Sequence, residues 1–338
     1  MRNLCVLLIL FLCAHIGNCH ELECGTLSIP EDSAVVAQLR QIRHSRSLTN
    51  FNDTLYFRIQ IHIIRNNNHT TSLSIDSLKK DLYDLNMYFA PASICFYQCN
   101  DYDYIDNDQY YNFHNSDEEF IRQTYNDPYA VNIYFANQVY IGDNTYAGYS
   151  YRPSSSSPNF VIIANENVRK KTLIHEVGHF FNLLHTHDYT NGYEYVNGSN
   201  CQTAGDLCCD TPADPKLSNI NVNLSCQYTG STTDPNGEYY TPDTHNIMSY
   251  SRKECRDHFT SDQYERIRDA AYLSCRQILL GHCTTLENGS LSYNVNISND
   301  IVVVNNYYID ADSITISACH ETMLKKSVTI QKGVIIQP

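Results

Sequence analysis

The stretch His175-Glu176-Val177-Gly178-His179-Phe180-Phe181-Asn182-Leu183-Leu184-His185 decides how this chain is read. On a helix, residues four apart lie on one face, so His175 and His179 can present two imidazoles to a single ion. That spacing permits the zinc–nitrogen distance of about 2.0–2.1 Å. Glu176, one residue round from His175, flanks the open coordination position and can take a proton from a water there. A third protein ligand is required, and His185 supplies it only if the helix stops first. The chain must therefore turn back at about Asn182, and asparagine is, after glycine, the residue most tolerant of a left-handed turn. His-Glu-x-x-His alone arises by chance in roughly one chain of this size in fifty, and the further histidine lowers that to about one in a thousand.

Outward from this segment, the pattern predicts a helix from about Val168 to Leu184. Upstream, Leu55, Phe57, Ile59, Ile61 and Ile63 alternate with Arg58, Gln60 and His62, a strand from Leu55 to Ile64. Ile75, Leu78, Leu82, Leu85 and Phe89 repeat at three and four, an amphipathic helix. Val131 to Phe135 and Phe160 to Ala164 read as further strands, the second buried on both faces. Asn144 to Tyr151 between them is a candidate edge strand, able to pair with an extended peptide. Downstream, residues 186 to 259 are loop-rich. Thr260-Ser-Asp-Gln263 then forms a capping box for a helix continuing through Tyr264, Ile267 and Ala271. Beyond about Cys283, Ile301–Val304, Ser313–Ser317 and Ser327–Gln331 are short β segments. No heptads, low-complexity tracts or strong internal repeat stand out.

The formal net charge of -14 over 338 residues excludes nucleic acid and anionic membranes as natural partners. Met1 to Cys19 has the pattern of a signal peptide, which predicts a secreted protein, and no second apolar run is long enough to span a bilayer. Cleavage after Cys19 leaves eleven cysteines; in an oxidising compartment ten can pair and one is left over. Residues 20 to about 50 are polar and end in two overlapping Arg-x-x-Arg sites, Arg40 to Arg43 and Arg43 to Arg46. They read as a basic loop or as an exposed processing site closing a propeptide. Asp101, Asp103, Asp106 and Asp108 lack the glycine of a calcium-binding EF-hand loop and read as a solvated acidic loop.

The His/Glu segment resembles the zinc signature of the metzincin metallopeptidases, and its surroundings resemble the cytophagalysin, or ulilysin-like, branch of the pappalysin family. The matching stretches are Cys201-Gln-Thr-Ala-Gly-Asp-Leu-Cys-Cys-Asp-Thr-Pro-Ala-Asp-Pro215, Asn246-Ile-Met-Ser-Tyr-Ser251 and Cys255-Arg-Asp-His-Phe-Thr260. The likeness covers roughly residues 55 to 275 and is motif-specific from 172 to 260. It implies an α/β (α+β) metzincin catalytic domain. Its parts are a twisted, mostly parallel sheet with two backing helices, an active-site helix, and a C-terminal subdomain with little regular structure apart from its final helix. It implies hydrolysis of protein or peptide substrates, with zinc on His175, His179 and His185 and Glu176 as general base.

The resemblance further implies that Met248 forms the turn beneath the metal and that Tyr250 stabilises the oxyanion. Glu23-Cys24-Gly25-Thr26 resembles the Cys-Gly-Thr of relatives' propeptides, which implies that the Cys24 thiolate fills the fourth zinc position in a latent zymogen; the other reading is that Cys24 is disulfide-bonded and another cysteine is left over. Cys201, Cys209, Cys226 and Cys255 pair among themselves, with Cys208 an extra neighbour. Asn182 stands where glycine is commoner, and His187 reads as a bystander. Asp206, Asp210 and Asp214 lie where some relatives bind structural calcium, which leaves a Ca2+ site open. The expected organisation is a signal peptide at 1–19, a propeptide at 20–46, a catalytic domain at 47–283 and a small β-rich extension at 284–338. The alternative is a catalytically silent, zinc-containing extracellular binding or adhesion protein. No local motif specifies the wall of the pocket beside the leaving-group residue, so substrate preference is not legible.

Overall fold

A computed structural model describes residues 22–46, 54–156 and 158–281, together with strands of the C-terminal stretch; the expected signal peptide lies outside the described residues. In chain order the first part holds α1 (Ser33–Arg46), β1 (Leu55–Arg65), α2 (Ile75–Phe89), β2 (Ile94–Tyr97), β3 (Asp103–Asp106), α3 (Asp108–Tyr111), β4 (Asn112–His114), α4 (Glu118–Tyr125) and β5 (Val131–Ala136). It continues with β6 (Gln138–Ile141), β7 (Asn144–Tyr146), β8 (Gly148–Ser150), β9 (Val161–Ala164), α5 (Thr172–Phe180), α6 (Ser261–Ala271) and α7 (Ser274–Gln277).

The apolar alternation from Leu55 onward produces the expected strand, which sits inside a sheet of order β2-β1-β5-β9-β8, with β3 also paired to β1. Every pairing in it is parallel except that of β8 with β9. Ile59 lies opposite Val131 and Ile133 opposite Val161. Parallel strands of this kind are covered on both faces, which is why Val161 to Ala164 is apolar throughout and buried. The polar face of β1 is buried too. His62 stacks on Tyr134 with centroids 4.2 Å apart, and its ring nitrogens reach Asp103 Oδ2 at 2.8 Å and Asn132 Oδ1 at 2.9 Å. Helices α2 and α5 cover one face with Leu78, Leu85, Phe89, Leu173, Val177 and Phe180; Phe113, Ile121, Tyr149 and Phe160 fill the other. The acidic residues expected in a solvated loop are largely in regular structure, Asp103 and Asp106 on β3 and Asp108 opening α3; Asp106 pairs with Arg65 and His69, and Asp108 accepts from Asn67.

Helix α5 is shorter at both ends than the Val168–Leu184 span the periodicity predicts. Arg169 and Lys171 take φ of 72° and 66° just before it, and Asn182 takes 70° just after, so left-handed turns bound the helix on each side. The two Arg-x-x-Arg sites also differ from expectation, since Arg40 to Arg46 lie on α1 rather than in a loop. Arg43 Nε bonds Asp269 Oδ2 of α6 at 2.7 Å, while most of its side chain stays exposed.

On α2, Asp81 is 1% exposed and lies 3.5 Å from Arg169 Nη1, with Oδ2 lacking a hydrogen-bond donor. Burial pushes its carboxyl up to about 6. A folded value above the unfolded one favours folding at low pH, and that contribution is lost as pH rises through about 6. At neutral pH the ionised Asp81 therefore costs on the order of 3 kcal/mol. Asp81→Asn should raise the melting temperature at pH 7.5 and give no gain at pH 4; equal shifts at both pH values would contradict this account.

Between α5 and α6 the chain has no helix or strand beyond isolated bridges such as Val222 with Tyr228 and Asn246 with His258. Two disulfides hold this part, Cys201–Cys209 and Cys226–Cys255, within the set of four the resemblance implied. Ten of the eleven cysteines beyond Cys19 can pair, but among the described residues not all of them do. Cys208 is a thiol because Cys201 takes Cys209 rather than its buried neighbour, and Cys24 and Cys275 are thiols as well.

The C-terminal stretch holds β10 (Cys283–Leu291), β11 (Val295–Ile309), β12 (Ile314–Leu324), β13 (Thr329–Ile330) and β14 (Val334–Gln337). All pair in parallel, Val295 opposite Ile314 and Ile314 opposite Val334. Strands in parallel register nineteen and twenty residues apart define a coiled repeat. The sequence reading missed it because only Val295-Asn-Ile-Ser298, Ile314-Thr-Ile-Ser317 and Val334-Ile-Ile-Gln337 recur, too short a match to register as self-similarity.

Candidate metal centre and active site

Every residue of α5 is buried, so its two histidines face inward rather than to solvent. The helix closes where Leu183 N bonds Gly178 O at 2.9 Å and Asn182 N bonds His179 O at 2.8 Å, with Asn182 in the left-handed region. That bend swings His185 back toward the helix. His179 Nε2 then lies 3.1 Å from His175 Nε2 and 3.0 Å from His185 Nε2.

Two outer contacts fix what those nitrogens offer. His175 Nδ1 faces the Ile247 carbonyl and His179 Nδ1 the Leu183 carbonyl, each at 2.8 Å. A nitrogen facing a carbonyl must carry the proton, so each Nε2 carries a lone pair. Burial lowers all three imidazoles, His179 to about 4, which keeps them neutral. Converging acceptors repel one another unless a cation joins them. Nitrogens each about 2.0–2.1 Å from one tetrahedral centre are about 3.3 Å apart, close to the spacing here. The donor set fits zinc.

Cys24 Sγ joins the three histidines, with the four donor atoms all within 4.8 Å of one another; among the described residues no other group of this kind occurs. Glu176, fully buried, accepts from Thr26 Oγ1 at 3.0 Å and from the Cys24 thiol at 3.5 Å through Oε2. Burial pushes its carboxyl up to about 8. Its backbone carbonyl accepts from Ser150 Oγ at 2.7 Å, which ties the helix to β8.

Met248 is buried under α5. A Cβ on Gly178, between the two helical histidines, would stand 2.8 Å from the Met248 sulfur, so the contact requires glycine there. The turn is held by Asn246, whose Oδ1 accepts from Met248 N at 2.8 Å and whose Nδ2 donates to Gln263 Oε1 at 2.9 Å. Gln263 is also the reciprocal member of the α6 capping box, so one side chain serves both. Tyr250 places its ring 4.8 Å from that of His185, with its hydroxyl 3.4 Å from Cys24 O. Burial holds the phenol well above its ordinary range, so it remains a donor. His187 stacks on His185 at 5.0 Å and stands outside the donor group.

The single edge strand expected over Asn144–Tyr151 is split into β7 and β8, which end two different sheets, and residues 22–26 lie along both, with Leu22 paired in parallel to Tyr146. Leu22 N bonds Thr145 O, Ala147 N bonds Leu22 O and Gly25 N bonds Gly148 O, at 2.8–2.9 Å. Thr26 Oγ1 accepts from Ser150 N at 2.9 Å. Further along, Glu31 Oε1 accepts from Asn182 Nδ2 at 2.8 Å and pairs with Arg266. Thr26, Ser150, Glu31 and Asn246 were not singled out from the sequence, since each acts through a partner more than a hundred residues away or, for Asn246, inside a loop. Asp206, Asp210 and Asp214 are not gathered into one donor cluster. Asp206 accepts from Thr211 Oγ1 and Cys208 N, Asp210 from Asp262 N, and Asp214 from Thr186 Oγ1 and Leu217 N.

Residues 114–272 match the peptidase M43 family, described as pregnancy-associated plasma protein-A. An extracellular metalloprotease of Colletotrichum graminicola is 29% identical over 268 residues, 72% of this chain and 88% of the relative. One from Pyricularia oryzae is 34% identical over 158 residues, 43% of this chain and 48% of the relative. Among solved structures, mature mirolysin of Tannerella forsythia in complex with a cleaved peptide is similar at a TM-score of 0.50 and 18% identity, covering 68% of this chain and 96% of that one. A promirolysin mutant from the same organism is similar at 0.51 and 17%, covering 76% and 96%. The structural likeness establishes the fold; the family and the relatives establish the class. The protein is a metalloendopeptidase with a metzincin fold. Within that class, residues 114–272, a little under half of the chain, are similar to the M43 peptidases, the pappalysin family.

Proposed function

We propose that this protein is a secreted zinc endopeptidase, made latent by Cys24, with His175, His179 and His185 as the metal ligands. The reading rests on the convergence of three imidazole Nε2 atoms, those of His175 and His185 lying 3.1 and 3.0 Å from that of His179, beside a buried carboxyl group. Zinc, when bound there, supplies a Lewis acid that acidifies a water and polarises the scissile carbonyl. Glu176 takes the proton from the attacking water and returns it to the leaving amine. The Tyr250 hydroxyl donates to the oxygen on which negative charge develops. The edge strands β7 and β8 offer backbone partners to an extended substrate.

In the latent form, residues 22–26 take that edge and the Cys24 sulfur stands where the fourth donor belongs. Thiolate is a good zinc ligand, and a filled fourth position leaves no room for the attacking water. We assign 1–19 to a signal peptide, 20–46 to the prosegment, 47–283 to the catalytic domain and 284–338 to the coiled β extension. Relatives named as extracellular support secretion, and among the described residues no helix is long and apolar enough to cross a membrane. A silent binding protein is disfavoured by the presence of Glu176 beside the donors.

Metal analysis of the purified protein should find about one zinc per chain, and activated protein should digest casein in a manner abolished by a chelator and restored by zinc. Absence of stoichiometric zinc, or digestion indifferent to the chelator, would end this reading.

A further inference from the structure

We propose that Arg256 and Lys253 form the subsite for the residue following the scissile bond, and that this subsite selects glutamate or aspartate. The inference rests on the peptidase reading above and adds its substrate class.

The site is built and, in the latent form, filled. Glu23 Oε2 lies 3.1 Å from Arg256 Nη2 and 3.6 Å from Lys253 Nζ. Arg256 is 4% exposed, and its guanidinium is fixed by Nε donating to Ser251 O at 2.7 Å. Lys253 Nζ donates to Asn167 Oδ1 at 2.6 Å. The two cations are therefore oriented by groups other than Glu23. Among the described residues, Glu23 is the only carboxylate within ion-pair distance of Arg256. A buried guanidinium that loses its only counter-charge is costly, so departure of the N-terminal segment leaves a strong demand for an anion.

The location says which anion. Glu23 directly precedes Cys24, whose sulfur sits with the metal donors, and Leu22 and Gly25 on either side bond the edge strand. Glu23 thus marks the position next to the reacting centre, on the Tyr146 side of it. The segment runs parallel to the strand. A substrate laid antiparallel, the more stable pairing, reverses the chain and puts the residue after the scissile bond into the place of Glu23. A carboxylate there meets a planar fork and a point charge, both charge-assisted donors. This local positive site stands out in a chain of net charge -14.

The test uses full chain after activation and one peptide scaffold carrying Glu, Gln, Ala or Lys after the scissile bond. We expect kcat/KM for Glu to exceed Gln by about tenfold or more, with Lys poorest and the Glu preference shrinking as salt rises. Lys253→Glu should invert the Glu/Lys ratio by about a hundredfold, and Lys253→Arg should restore it; Lys253 is chosen because Arg256 also braces the turn at Ser251. Calorimetric titration with the Glu and Lys peptides under chelation reads the subsite without turnover. Cleavage with no acidic preference at that position, or with one only before the bond, overturns the inference and leaves the peptidase standing. Equal binding of the two peptides also overturns it. Failure to cleave any peptide overturns the peptidase reading instead, and the titration then still decides the subsite.

Discussion

Replacing Glu176 by alanine should lower peptide cleavage by about a thousandfold or more while zinc stays near one per chain. The side chain touches no metal donor other than the Cys24 thiol, and the Nδ1 contacts that orient His175 and His179 are made by carbonyls elsewhere. Metal retention is therefore expected. Stability should hold or rise, because the wild-type carboxylate is fully buried and its Oε1 lacks a partner. Casein or peptide hydrolysis, metal content and thermal unfolding, measured on one preparation, separate the outcomes. Unchanged cleavage would remove Glu176 from the reaction; loss of metal would make it a structural residue.

Cys24→Ala in the full-length chain should convert a silent precursor into one with measurable activity before any processing, a gain of about tenfold or more over the unprocessed parent. The substitution removes the fourth donor but leaves the segment's other anchors. These are the backbone bonds of Leu22 and Gly25, the Glu23 pairing with Arg256, and the Glu31 bond to Asn182. Activity should thus remain below that of the processed form, and excess zinc should not alter the comparison. A mutant precursor as silent as the parent would show that those anchors alone close the cleft, and the thiol would have no part in latency.

The legible portion of the molecule was the portion encoded locally. His175, His179 and Glu176 are fixed by helical spacing, and the α6 cap by two residues three apart, so four or five adjacent letters suffice for each. Asn182 was legible for a related reason, since its left-handed backbone is a property of one residue. The extent of α5 was not, because the apolar run Phe180 to Leu184 continues the helical pattern through the bend, and only tertiary contacts stop it. Nor could sequence choose Cys209 over Cys208 as the partner of Cys201, two adjacent letters separated only by which side chain faces out. The anchors of residues 22–32 join positions more than a hundred apart and leave no periodicity. The coiled repeat near the C-terminus hid for the opposite reason: its period is regular but each copy contributes only four similar residues.

Asn182 has two tasks in this fold. It bends the chain so that His185 can return, and its amide clasps Glu31, which Arg266 also holds. Glycine would make the bend with less strain and could not make the clasp. The departure from glycine thus couples the bend that returns His185 toward α5 to the contact that holds Glu31 of the N-terminal segment.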